Sequence, residues 1–231
     1  MQGQQVLVPG GTGGLGLGVV PYILAQGAWV TIPYRSMSAV ERLQACLSPN
    51  ELERVRFVEC DLLQEVQVQG LVAGMGRVDA LLHLAGGFAM GKTHEYSYTA
   101  WRQDFDLNLN SAFLVCKHVL ARMLQQGYGR IVTVASRGAV EPGAQLAAYC
   151  ASKAGLVALT RVIAAETKGQ DITANVILPS VIDTPSNREA MGDAQASQWV
   201  SPASLAQLIG FLGSAAAKDI RGAVIPIYGN L

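Results

Sequence analysis

Val6-Leu7-Val8-Pro9-Gly10-Gly11-Thr12-Gly13-Gly14-Leu15-Gly16 is a short apolar run that breaks into glycine, and the chain after it, 17–26, reads as a helix. Strand, glycine cluster and helix in that order form the context of a phosphate-binding turn. Small residues let the main chain approach a diphosphate, and the helix N-terminus favours its negative charge. Taken alone, the cluster fits a plain tight turn equally well. The rest of the chain decides between the two. Further apolar runs at 27–32, 55–60, 80–84, 130–135, within 171–178 and at 223–227 read as strands. Helical patterns at 40–47, 101–126, 148–167 and 202–217 lie between them. This alternation predicts an α/β protein, a doubly wound parallel sheet of about seven strands with helices on both faces. Ligands of such sheets bind at the carboxyl ends of the strands.

The 231 residues suit one domain spanning 1–231, without linker or repeat. Half of them are hydrophobic and 15% are charged, which excludes disorder. Formal charge is zero and no basic run appears, so nucleic acid is not an expected partner. No apolar stretch reads as membrane-spanning; 205–217 is too short. No leader fits the first residues, and a cytoplasmic protein is expected. Cys46, Cys60, Cys116 and Cys150 lack metal-type or redox-type spacing, so free thiols in a reducing compartment and no metal site are expected.

The chemistry-bearing residues fall at strand ends. After the second strand comes Tyr34-Arg35-Ser36, where NAD-binding folds place an acid; none is present. Arg35 can pair with a 2′-phosphate, so NADP(H) is favoured over NAD(H), though a solvated loop charge is the plainer reading. Asp61-Leu62 follows the third strand; the acid can meet an adenine amino group or cap a helix. Ala85-Gly86-Gly87 follows the fourth and permits close approach of a ligand. Asn108 sits inside a helical run that asparagine disfavours, as packing or as a local kink with a purpose. Ser136 closes the fifth strand. Tyr149 and Lys153 are four apart and share a helix face. A tyrosine must shift by about 3 pKa units, roughly 4 kcal/mol, to act near neutrality. A cation at about 4 Å supplies on the order of 4 kcal/mol at an effective dielectric of about 20. An exposed Tyr/Lys pair is the plainer alternative. Segment 186–200 reads as a flap whose Met191 and Trp199 either line a lid or pack a short surface helix. His83 reads as strand-end packing.

Together these residues resemble the short-chain dehydrogenase/reductase family over nearly the whole chain. Its Thr-Gly-x-x-x-Gly-x-Gly motif is similar to Gly10, Gly14 and Gly16, with Pro9 in place of the threonine. Its Asn-Asn-Ala-Gly motif resembles His83-Leu84-Ala85-Gly86, with both asparagines lost. Ser136 stands thirteen residues before Tyr149, the family's spacing, and Asn108, Tyr149 and Lys153 match its other catalytic positions. The resemblance implies a Rossmann-type sheet and hydride transfer between a nicotinamide and a small carbonyl or alcohol, 3-oxoacyl compounds included. It assigns Tyr149 as proton donor, Ser136 as a hydrogen-bond donor to the substrate oxygen, and Asn108 as holder of a relay water. It assigns Lys153 to the nicotinamide ribose and to lowering the tyrosine pKa. Cofactor contacts are implied at Gly10, Thr12, Gly13, Gly14, Leu15, Gly16, Arg35, Ser36, Asp61, Leu62, Ala85, Gly86, Gly87, Pro179, Ile182 and Thr184, with Tyr149 and Lys153. Segments 85–91 and 178–191 are also similar to those of dihydropteridine reductase, an alternative activity; a non-catalytic NAD(P) sensor or scaffold is another. A homodimer or homotetramer through the long helices is implied.

Overall fold

Strands form where β-branched and apolar residues run unbroken. In the computed structural model, which describes residues 1–231, β5 (Gly129–Val134) and β6 (Ile172–Pro179) are buried at every position. Such strands are covered on both faces. They join β1 (Gln5–Leu7), β2 (Trp29–Tyr34), β3 (Val55–Glu59), β4 (Ala80–His83) and β7 (Val224–Ile227) in one parallel sheet, ordered β3-β2-β1-β4-β5-β6-β7. Leu7 lies opposite Thr31 on one side and Leu81 on the other. Winding reverses between β1 and β4, which opens a crevice above their carboxyl ends.

Side chains alternate across the sheet. Leu82 enters a core with Val19 and Ile23 of α1 (Gly16–Ala25) and Leu205 and Ile209 of α9 (Pro202–Leu212). Leu81 enters the opposite core. There it meets Val68 of α4 (Glu65–Ala73), Val115 of α6 (Ser111–Gln126) and Ile163 of α7 (Ala147–Glu166). Each such buried side chain contributes roughly 1.5–3 kcal/mol. The smaller helices are α2 (Met37–Gln44), α3 (Pro49–Leu52), α5 (Tyr98–Phe105) and α8 (Pro185–Met191). Helix starts are written locally. Thr184 Oγ1 accepts from the backbone N–H of Asn187 at 3.2 Å, and Ser201 Oγ from that of Ser204 at 3.0 Å, each followed by proline at the first helical position. α6 stops at Gly127, whose φ of +72° is the left-handed cap glycine supplies.

At the amino ends of β5 and β6 the sheet is locked by a buried arginine. Arg130 Nη2 donates to Asp171 Oδ1 at 2.7 Å and Nη1 to the Asp171 carbonyl at 2.9 Å. Its Nε donates to the Ser214 carbonyl at 3.3 Å, and the guanidinium lies 4.4 Å from the Tyr128 ring centroid.

Three expectations change. The helix at 101–126 starts at Tyr98 and is interrupted by a π-helical turn, Asp106–Asn110. The helix at 202–217 ends at Leu212, and Ser214 Oγ, accepting from the N–H of Ala216 at 3.2 Å, starts a separate 3₁₀ turn. The sequence reading found no membrane-length apolar stretch, yet α7 is long and apolar enough by length and composition. Its Ile163 is buried in the core that holds Leu81, its Leu156 in a smaller cluster with Val176 and Leu178, and Lys153 is buried too, so it is a core helix. Segment 186–200 is covered by α8 and a 3₁₀ turn, Ala196–Gln198, and is laced to the chain just past β6 by the Val200 N–H, which donates to the Val181 carbonyl at 2.9 Å. Trp199 is buried there, whereas Met191 is exposed.

Candidate active site

The glycine turn sits directly on the loop that follows β4. Gly10 has φ +81°, and a Cβ there would collide with the main chain of Ala85; at Gly16 it would strike the Gly11 carbonyl. Only glycine fits these positions. The turn and the start of α1, whose first turn carries no acid, form a cradle that fits a diphosphate. Beside it lies a cavity of about 460 Å³. Of the expected cofactor residues, Gly10, Thr12, Gly13, Arg35, Asp61, Leu62, Ala85 and Gly86 line it, together with Tyr34. Size, polarity and glycine floor suit the adenosine half of a dinucleotide.

Other expected contacts lie elsewhere. Leu15 and Gly16 are buried at the start of α1. Gly14 faces Thr184, whose Cβ is 3.2 Å from where a Gly14 Cβ would stand. Ser36 is exposed and hydrogen-bonds Ser38 Oγ at 2.9 Å, outside the cavity, because the chain turns outward as α2 begins. Pro179 pairs with Ile227, and Ile182 bridges to Val200. Asp61 does not cap α4, which begins at Glu65; its Oδ1 accepts from the N–H of Leu63 at 3.0 Å, closing a turn. Sequence reading missed Gln103, Asp106, Leu107 and Ser111 on the opposite wall of the cavity. Their spacing of three to four is the signal that marks one helical face.

The π turn has a visible cause. Asn108 is fully buried, and its Oδ1 accepts from the N–H of Gly87 at 3.0 Å. Lys153 Nζ donates to the Val134 carbonyl at 2.9 Å. A Cβ on Gly86 would stand 2.9 Å from both Asn108 Oδ1 and Lys153 Nζ. Loop 85–87 is therefore gripped between the π turn and α7. Across from it, Ser136 Oγ accepts from the N–H of Gly138 at 3.1 Å, which leaves its own proton free to be donated. A Cβ on Gly138 would lie 3.6 Å from Ser136 Oγ and 3.7 Å from Tyr149 Cε1. Phe88 stands edge-on to Tyr149, with ring centroids 5.0 Å apart.

Burial dominates the electrostatics. It pushes the Tyr149 phenol above its usual range; the neighbouring Ser136 hydroxyl pulls the other way. It lowers Lys153 to about 8. His83 is lowered to about 3, first by burial and then by the charge of Lys153, and both ring nitrogens lack partners. The expectation that Lys153 holds the phenol pKa down is thus not met by the protein alone. Its ammonium is turned to the Val134 carbonyl at the end of β5, and burial dominates the phenol.

Residues 4–195 match the family model described as short chain dehydrogenase. The chain is 32% identical to D-threitol dehydrogenase of Mycolicibacterium smegmatis, over 100% of this chain and 93% of that one. It is 29% identical to D-beta-hydroxybutyrate dehydrogenase of Cupriavidus necator, over 97% and 96%. Among solved structures, a single-substitution variant of actinorhodin polyketide ketoreductase with NADPH superposes with a TM-score of 0.88 at 27% identity, covering 100% of this chain and 99% of that one. A match of that extent, on a sheet of this order, makes the chain a member of the short-chain dehydrogenase/reductase family, an NAD(P)-dependent dehydrogenase or reductase.

Proposed function

We propose that this enzyme interconverts a small carbonyl compound and its alcohol, with NADP(H) favoured over NAD(H). The observation that carries the reading is the grouping of Ser136 and Tyr149 around Gly138, with Lys153, one turn further along α7, against Gly86 and Asn108. When bound, the nicotinamide supplies or accepts the hydride. Tyr149 gives a proton to the carbonyl oxygen as negative charge develops there. The free Ser136 hydroxyl proton donates to the same oxygen. Lys153 uses one of its three donors on the Val134 carbonyl, leaving two for the nicotinamide ribose and a water. Asn108, through its unpartnered Nδ2, is the natural holder of that water. The Tyr149 phenol, raised chiefly by burial, becomes more acidic beside the positive charge of an oxidised nicotinamide.

Arg35 in the adenosine cavity, with no carboxylate at the end of β2, supports NADP(H): a 2′-phosphate meets a cation rather than an anion. Exposed Phe113 on α6 and Val162 on α7 support pairing of these helices between subunits of a homodimer or homotetramer. A cytoplasmic enzyme is consistent with three buried, unpaired cysteines.

The test follows NADPH and NADH oxidation with ketones, 3-oxoacyl thioesters and quinonoid dihydropterin. Tyr149→Phe is expected to lower kcat by a factor of about 10²–10⁴ while NADPH binding, read by fluorescence titration, persists. Turnover at the wild-type rate in that variant would sink the assignment of Tyr149; cofactor binding without turnover of any compound would favour a sensor.

A further inference from the structure

Three loops border Tyr149 and the crevice. The first, 86–97, brings Phe88 onto the Tyr149 ring and is fastened to the second by the Gly91 N–H, which donates to the Gln145 carbonyl at 2.8 Å. The second, 136–146, carries Ser136. The third, 180–200, brings Thr184 against the glycine turn. Each permanent cation on these loops is held by a carboxylate. Lys92 Nζ is 3.2 Å from Glu95 Oε1, and Arg137 Nε is 2.7 Å from Glu141 Oε2. Arg188 is held twice, by Asp183 at 2.6 Å and Asp193 at 2.9 Å. His94 also lies 3.3 Å from Glu95. Lys92 and Glu95 balance, as do Arg137 and Glu141, while Asp183, Glu189 and Asp193 outnumber Arg188 by two. The rim is therefore net negative and offers an anion no unpaired cation.

The same loops expose apolar side chains. Phe88 is 62% exposed although it touches Tyr149, and Met90, Val140 and Met191 are exposed as well. An exposed aromatic at the edge of a reaction site is a surface for an apolar group. We infer that the substrate is an uncharged ketone or secondary alcohol with an apolar substituent laid against Phe88, and that the rim rejects compounds carrying a carboxylate or phosphate near the reacting carbon. This rests on the carbonyl-reducing reading above and narrows it. An anion would have to pull Arg188 from two carboxylates or lie unpaired beside Asp183 and Asp193, and specificity of this kind is repulsion as much as attraction.

The test compares methyl 4-acetylbenzoate with 4-acetylbenzoate, which share a ketone and a ring and differ in charge. Binding to the NADPH-loaded Tyr149→Phe protein is read by calorimetry, and kcat/KM is read on the wild-type enzyme. The ester is expected to bind about tenfold more tightly or better, and to show a similar advantage in kcat/KM. Asp183→Asn combined with Asp193→Asn, which frees Arg188, is expected to narrow the gap by about threefold. Equal or tighter binding of the carboxylate overturns the inference, and so does failure of both compounds to bind. If the double variant does not fold, the wild-type comparison still decides. Selective binding of the ester without turnover by the wild-type enzyme leaves this inference standing and counts against carbonyl reduction.

Discussion

His83 stands where the family motif has asparagine, and it is fully buried with neither ring nitrogen bonded. It is neutral in the folded protein, with a pKa of about 3 against about 6.5 for a free histidine. Below pH 6.5 the unfolded chain therefore binds a proton that the folded one refuses, and stability falls as pH drops toward 3. The slope from this group is about 1.4 kcal/mol per pH unit. Urea unfolding at pH 7 and pH 5 is expected to show wild type losing about 2 kcal/mol more than His83→Leu over that interval. At pH 7 the leucine variant is expected to be at least as stable, since it removes two unsatisfied buried nitrogens. Equal losses in both proteins would mean that His83 finds a partner in solution. Spacing made Ser136, Tyr149 and Lys153 legible because their separation is set by one strand end and one helix. The direction of the Lys153 ammonium was not legible. It depends on the Val134 carbonyl, which only the fold brings within 2.9 Å.

The π turn at Asp106–Asn110 carries information from one loop to another. Asn108 reaches the Gly87 N–H, and the widened turn keeps Gln103, Asp106 and Leu107 on the cavity wall. Asn108→Ala leaves that half-buried N–H without its acceptor, a cost of about 1 kcal/mol. A fall in Tm of several degrees is expected, together with a kcat loss larger than the loss in NADPH affinity, because the freed loop is the one beside Tyr149. Unchanged kcat would show that the π turn serves packing only. The sequence hinted at this element through an asparagine in a poor place, but an extra residue in a helical turn leaves no periodic mark. α4 was harder still. Val66 is exposed while Val68, Leu71 and Val72 are buried, so its start alternates like a strand. β5 and β6, by contrast, declared themselves through β-branched and apolar residues, interrupted by Arg130 in one and Asn175 in the other.

Across the whole molecule, the doubly wound parallel sheet followed from the alternation of elements, while strand order, subunit contacts and loop closure had no such signature. The sheet has two unlike ends. At one, loops framing the crevice present exposed Phe88, Met90, Val140 and Met191 and ion pairs that remain open to solvent. At the other, the fully buried Arg130 ties Asp171, Ser214 and Tyr128 together. Local opening follows such differences in burial. In deuterated buffer, amides of 186–200 are expected to exchange long before those of β5, with NADPH slowing the former and leaving the latter unchanged; uniform exchange would contradict this. The guanidinium of Arg130 is thus the rivet at the handle of a fan: it fastens the end of the sheet away from the crevice, and opening of 186–200 breaks none of the contacts it makes.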